Sequence, residues 1–127
     1  MRVIICGSRG IVDPIVVEEA VRESEFEVTQ VISGGATGPD SLGAQWALQN
    51  GIPVVTVLPD WKTHGKAAGP IRNSKMLEQA DAVIAIWDGK SRGTMDTIHK
   101  ADLKQLPIYV KRYKEEEVIK KCEDLFS

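Results

Sequence analysis

Five short apolar runs punctuate the chain, and between each pair lies a stretch whose apolar residues recur at helical spacing. The runs are "RVIIC" (2–6), "EVTQVIS" (27–33), "IPVVTVL" (52–58), "DAVIAIW" (81–87) and "PIYVK" (107–111). Short and rich in β-branched residues, they read as strands. Residues 13–25, 39–50, about 70–80, 93–105 and 114–126 carry the helical pattern. Asp13 is placed to cap the first helix, with Pro14 following at the first helical position. Strict alternation of this kind implies βαβ units, hence a parallel sheet with helices on both faces. The most apolar run, 81–87, is expected at the centre of that sheet.

One domain over residues 1–127 is the simplest division, since that length supports a hydrophobic core without staples. No internal repeat, low-complexity segment or linker interrupts it. The net charge of −2 disfavours a general polyanion binder, because such domains are ordinarily basic, so nucleic acid is not the expected partner. Cys6 and Cys122 lie at opposite ends of the chain, and Cys6 closes an apolar run. It is expected to be a buried, reduced thiol and not half of a disulfide or metal site. Neither a metal nor a cofactor is expected. The apolar run near the N-terminus is only four residues long, too short for a signal peptide or a span. The expectation is therefore a cytoplasmic protein without membrane contact. The last helix, with "KEEE" and "KK", is expected to present a solvated charged face.

The unusual residues all follow strands. After the first four strands come "GSRG" (7–10), "SGGATGPDSLG" (33–43), "PDWKTHGKAAGPIRN" (59–73) and "DGKSRGT" (88–94), whereas the turns at the opposite edge, such as "NGIP", are short and plain. Ligands of open parallel sheets bind outside the carboxyl ends of the strands. Seven of the sixteen cations fall on these loops or the turn after them: Arg9, Lys62, Lys66, Arg72, Lys75, Lys90 and Arg92. Four of them crowd the start of a helix expected to begin at Gly69-Pro70, where the helix dipole disfavours positive charge. A bound anion would explain that placement. Gly34, Gly35, Ala36, Thr37 and Gly38 offer a backbone that can approach a phosphate. Ser91, Arg92, Gly93 and Thr94 offer hydroxyls and a forked donor at another helix start. Gly7, Ser8, Arg9, Lys66, Arg72, Asn73 and Lys90 complete the candidate ligand contacts. Trp61 and Trp87 flank the loops, placed either to stack on a base or to pack the core; Trp46, among alanines in a helix, is expected in the core.

The segments "GSR" (7–9), "SGGATGPDSLGAQWA" (33–47), "DWKTHGKAAGPIRNSKML" (60–77) and "ADAVIAIWDGKSRGTMDTI" (80–98) resemble those of the SLOG superfamily, named for the SMF/DprA and LOG proteins. Within it, the resemblance is to the small single-domain branch of YspA/YpsA-related proteins. It implies a Rossmann-like α/β three-layer sandwich with a five-stranded parallel sheet of order 3-2-1-4-5. It also implies a pocket for nucleotide-derived small molecules, in proteins that act as sensors or as enzymes, and self-association into a homo-oligomer.

The enzymatic LOG relatives resemble phosphoribohydrolases, which cut the N-glycosidic bond of nucleoside 5′-monophosphates. Arg72 matches the arginine of their basic helix and "ADAVIAI" matches their strand. "WDGKSRGT" departs from their "PGGxGTxxE" pattern, and the position of its glutamate is taken here by Thr97. Asp96 is adjacent but should point about 100° round the helix. The catalytic candidates are therefore Arg72 for phosphate and Asp88, Asp40 or Asp96 as the carboxylate. Asp40 has two readings, dipole stabilisation at a helix start or contact with a ribose hydroxyl. Asp60 is expected to pair with loop cations, His64 to serve as a loop hydrogen-bonder or phosphate contact, and His99 to lie on the surface. Two main functions compete: a module that captures a phosphorylated nucleotide-derived ligand, and an N-glycosidic hydrolase or transferase. Single-stranded DNA binding is the third and least favoured, given 6% aromatic residues.

Overall fold

The computed structural model describes residues 1–35 and 38–113. The elements run β1 (Arg2–Gly7), α1 (Pro14–Ser24), β2 (Gln30–Ser33), α2 (Pro39–Gln49), β3 (Val54–Thr56), α3 (Trp61–His64), a 3₁₀ turn (Gly65–Ala67), α4 (Ala68–Gln79), β4 (Ala82–Trp87), α5 (Arg92–Leu103) and β5 (Ile108–Arg112). The strands form one parallel sheet in the order β3-β2-β1-β4-β5. The helix expected at 114–126, with Cys122, lies outside the described residues.

Alternate residues of the central strands feed two cores. Val3 and Ile5 of β1, with Ile84 and Ile86 of β4, face Val16, Val17 and Ala20 of α1 and Ala47 of α2. Ile4 and Cys6, with Val83 and Ala85, face Met76 and Leu77 of α4 and Ala101 of α5. Helices thus cover both faces, which is why these strands read as unbroken apolar runs. Residues 82–86 are completely buried between β1 and β5, so the most apolar run is interior, although the central strand of the five is β1.

The expected helix caps are present. Asp13 Oδ1 accepts from Ile15 N at 3.0 Å, and Pro14 opens α1. Several boundaries differ from expectation, and β3 falls furthest short of it, Val54–Thr56 where 52–58 is expected. Strand β2 begins at Gln30 and not at 27, because the segment before it binds the chain's start: the Met1 amino group donates to the Glu27 carbonyl (2.8 Å) and Thr29 Oγ1 (3.1 Å). The helix expected from Gly69-Pro70 begins at Ala68, and the basic loop before it is itself helical. Asp60 makes none of the expected close ion pairs among the described residues; it caps that turn, accepting from Thr63 N at 3.1 Å, and His64 and Lys75 act on it only through their charge. Proline tolerates its place in the first turn of α4 because its missing N–H would have had no partner there.

Candidate functional site

In the order β3-β2-β1-β4-β5, the chain steps outward from β1 in one direction and resumes from β4 in the other. The loops leaving β1 and β4 therefore diverge, and a crevice opens at their carboxyl ends. A narrow cleft of about 80 Å³ lies there. Cys6, Gly7 and Arg9 enter it from β1, Asp40 from the first turn of α2, and Arg72, Asn73 and Met76 from α4. The start of α5 closes it with Ser91, Gly93, Thr94 and Thr97. A second, wider cleft, about 330 Å³, shares Arg9 and Arg72 with the first and adds Gly34, Gly35, Leu58, Pro59 and Trp61. The two arginines are the common wall.

Arg72 is held in place from two sides. Its Nη1 donates to the Gly34 carbonyl (2.6 Å) and its Nε to Asn73 Oδ1 (2.9 Å). The Asn73 amide then donates to Asp96 Oδ2 (3.0 Å), and Asp96 pairs with Lys100 (3.0 Å). Asn73 is almost completely buried, so this relay fixes the root of the arginine while α5 braces α4. These bonds occupy two of the five N–H donors of a guanidinium. A β-carbon at Gly34 would lie 2.7 Å from both Arg72 Nη1 and Asp40 Oδ2, so both side chains need a glycine there.

At α5, Ser91 is the N-cap: its hydroxyl accepts from Thr94 N (3.5 Å) and lies 3.2 Å from the Thr94 hydroxyl. The first N–H groups of the helix and these hydroxyls border the cleft, a donor-rich, electropositive corner. Cys6 is buried and unbridged, and burial, reinforced by the Asp40 carboxylate and opposed by Arg72, pushes its thiol up. It therefore stays a protonated thiol, with no nucleophilic character.

The sequence profile of the YspA, cpYpsA-related SLOG family matches residues 1–64. The gene 61 protein of Mycobacterium phage D29 is 35% identical over 117 residues, covering 84% of this chain and 93% of that protein. The chain belongs to the YspA, cpYpsA-related SLOG family. In three dimensions, this SLOG chain matches DNA processing protein A (DprA) of Streptococcus pneumoniae with a TM-score of 0.71 at 20% identity, over 90% of its own length. It spans about half the length of that DprA chain, the match covering 50% of it. The five-stranded parallel order and flanking helices are the shared fold.

The SLOG chain gathers only part of the expected set. Gly7, Arg9, Asp40, Arg72, Asn73, Ser91, Gly93 and Thr94 line the first cleft, and Gly34 and Gly35 the second. Ser8 is buried and structural: it bonds to the Ile86 carbonyl (3.0 Å), and its hydroxyl accepts from Asp88 N (3.0 Å). Gly38 is the N-cap of α2, and Lys66, Lys90 and Arg92 are exposed outside both clefts. Trp87 is turned to the α5 loop, its Nε1 donating to the Ser91 carbonyl (3.1 Å), with Arg112 over its ring. Ala36 and Thr37 lie outside the described residues.

Of the carboxylate candidates, Asp88 accepts from Lys90 N (2.7 Å) and Ser91 N (2.9 Å), which holds its carboxyl below the usual range and ties it to the turn. Asp96 is engaged by Asn73 and Lys100, and neither aspartate lines either of these two clefts. Thr97 does face the cleft where Asp96 does not, so the helical register holds. Asp40 is the carboxylate that lines it, 6% exposed. Cys6, Met76, Thr97, Leu58 and Pro59 were not singled out from sequence as cleft residues. For two of them a signal existed: Met76 stands four residues after Arg72 and Thr97 three after Thr94, the same helix faces. His99 is on the surface as expected, and Trp46 packs against the core from a half-buried position.

Proposed function

We propose that this SLOG chain binds a phosphorylated, nucleotide-derived small molecule in the paired clefts, as a ligand-capturing module or sensor. The observation that carries this reading is the convergence of Arg9 and Arg72 with the Ser91–Thr94 corner of α5 around one crevice. Forked guanidinium donors, helix N–H groups and hydroxyls all favour the same ligand group, a phosphate. Family membership supports a nucleotide-related role, and the placement at the sheet's switch point supports a small-molecule site. The test is to denature natively purified protein, identify released small molecules by mass spectrometry, and titrate what is found back into fresh protein. Tight rebinding of an intact nucleotide-like species is expected. Preparations that release none, and that bind neither nucleotides nor inorganic phosphate, would refute it.

The second reading, an N-glycosidic hydrolase or transferase, is favoured by one feature, the Asp40 carboxylate in the cleft with Arg72. Appearance of free base from the bound ligand, abolished by Asp40→Asn with binding retained, would select it. Nucleic acid returns as an alternative because the fold is that of DprA, whose name records DNA processing, and because Arg9, Lys62, Lys66, Lys75, Lys90 and Arg92 are exposed near the same edge. Oligonucleotide affinity falling steeply with salt would support it.

A further inference from the structure

The second cleft differs in chemistry from the first. Leu58, Pro59 and Trp61 give it an apolar wall, while Arg9 and Arg72 join it to the polar crevice. Leu58 is 68% exposed and Trp61 56%. Apolar side chains exposed singly are ordinary, but these two line one cleft together with Pro59, as the apolar wall of a ligand site does. Trp61 also differs from the other tryptophans: Trp46 packs against the core, and Trp87 is hydrogen-bonded and covered by Arg112. Its backbone is anchored, because Asp60 caps the turn that carries it. Charge selects the occupant. An occupant that lies on the shelf and also carries an anion engages both the apolar wall and the remaining donors of Arg9 and Arg72, which a purely apolar partner would leave to water.

We propose that Leu58, Pro59 and Trp61 are the shelf on which the ligand's flat heteroaromatic ring lies, so that the site takes nucleoside 5′-phosphates in preference to sugar phosphates. This rests on the phosphate-pocket reading above and assigns the part of the ligand that reading leaves unplaced. Indole–base stacking needs only a π-face, and Leu58 and Pro59 can cover the rest of the ring without hydrogen bonding.

The experiment titrates the full chain with inorganic phosphate, ribose 5-phosphate and the 5′-monophosphates of adenosine, guanosine, cytidine and uridine, by calorimetry and by tryptophan emission. At least one nucleotide should bind about five- to one-hundred-fold more tightly than ribose 5-phosphate, and it alone should quench emission. Trp61→Ala should erase that margin while leaving ribose 5-phosphate binding unchanged. Trp61→Phe should keep most of the margin and lose the quench, which separates stacking from misfolding. Equal binding of ribose 5-phosphate and every nucleotide overturns the shelf and leaves the phosphate pocket standing. So does a Trp61→Ala variant that weakens all probes alike, or that changes the mass of the protein in solution instead of its ligand preference. Failure of every probe, phosphate included, removes the pocket and the shelf with it.

Discussion

Arg72 shows how a residue can be read correctly for its place and incompletely for its bonds. A cation early in a helix looks unfavourable, and from sequence its removal should cost little stability. In the fold its bond to the Gly34 carbonyl joins α4 to the loop after β2, and its bond to Asn73 fixes its direction. Arg72→Ala should therefore lower stability by about 1–2 kcal/mol, read from urea unfolding without ligand, besides abolishing phosphate binding. Arg72→Lys should recover little of the binding, since an ammonium keeps the charge but not the fork. Gly38 is the other instructive residue. It combines a φ of 80° with a β-carbon position 2.9 Å from the carbonyl oxygens of Ser8 and Arg9. Gly38→Ala should cost about 1–3 kcal/mol, checked by the same unfolding curves. The clash is with backbone, which no rotamer change relieves.

At the scale of elements, short-range signals were reliable where one residue sets a boundary and misleading where two signals compete. Asp13-Pro14 started α1 as written, because cap and proline act within the same turn. Before α4 the basic segment reads as a loop, yet the Asp60 cap and a 3₁₀ turn carry helical structure through it. Helix α5 serves the site through its N-cap, and the long 3.5 Å bond from Thr94 N to Ser91 sets the expectation. Ser91→Ala should lose about 0.5–1 kcal/mol in thermal unfolding and weaken phosphate binding by removing a hydroxyl from the cleft wall. The ion pairs from Lys111 to Glu19 and Glu23, which link β5 to α1, are exposed enough to be worth less than about 1 kcal/mol. The caps matter more than the salt bridges here.

For the whole molecule, the sign of the pH dependence follows from where the carboxylates end up. Asp88 is held below its ordinary value by the Lys90 and Ser91 amides, and Glu23 by Lys111. A depressed folded-state value means that the contribution is complete above the unfolded value, about pH 4, and fades as pH falls through the folded one. The melting temperature should thus drop between pH 5 and pH 3. In Asp88→Asn that slope should be shallower, measured by calorimetric scans, because the amide oxygen still accepts from the turn but no longer titrates.

What the sequence determined by itself was the architecture. Short unbroken apolar runs and helical stretches in strict alternation leave few ways to bury both faces, and the glycine-rich and basic loops at one edge located the crevice. Only the tertiary structure decided which loop residues meet. Arg9 and Arg72 are 63 positions apart in the chain yet share a wall of both clefts. Lys66 and Lys90 stand on the same loops yet line neither cleft, and Trp87, at the end of β4, is turned to the Ser91 carbonyl. Composition places a cation on a loop, but its direction depends on strand register and helix packing. Those are set by contacts between residues far apart in the sequence, such as the carbonyl of Gly34 that holds Arg72 at the cleft.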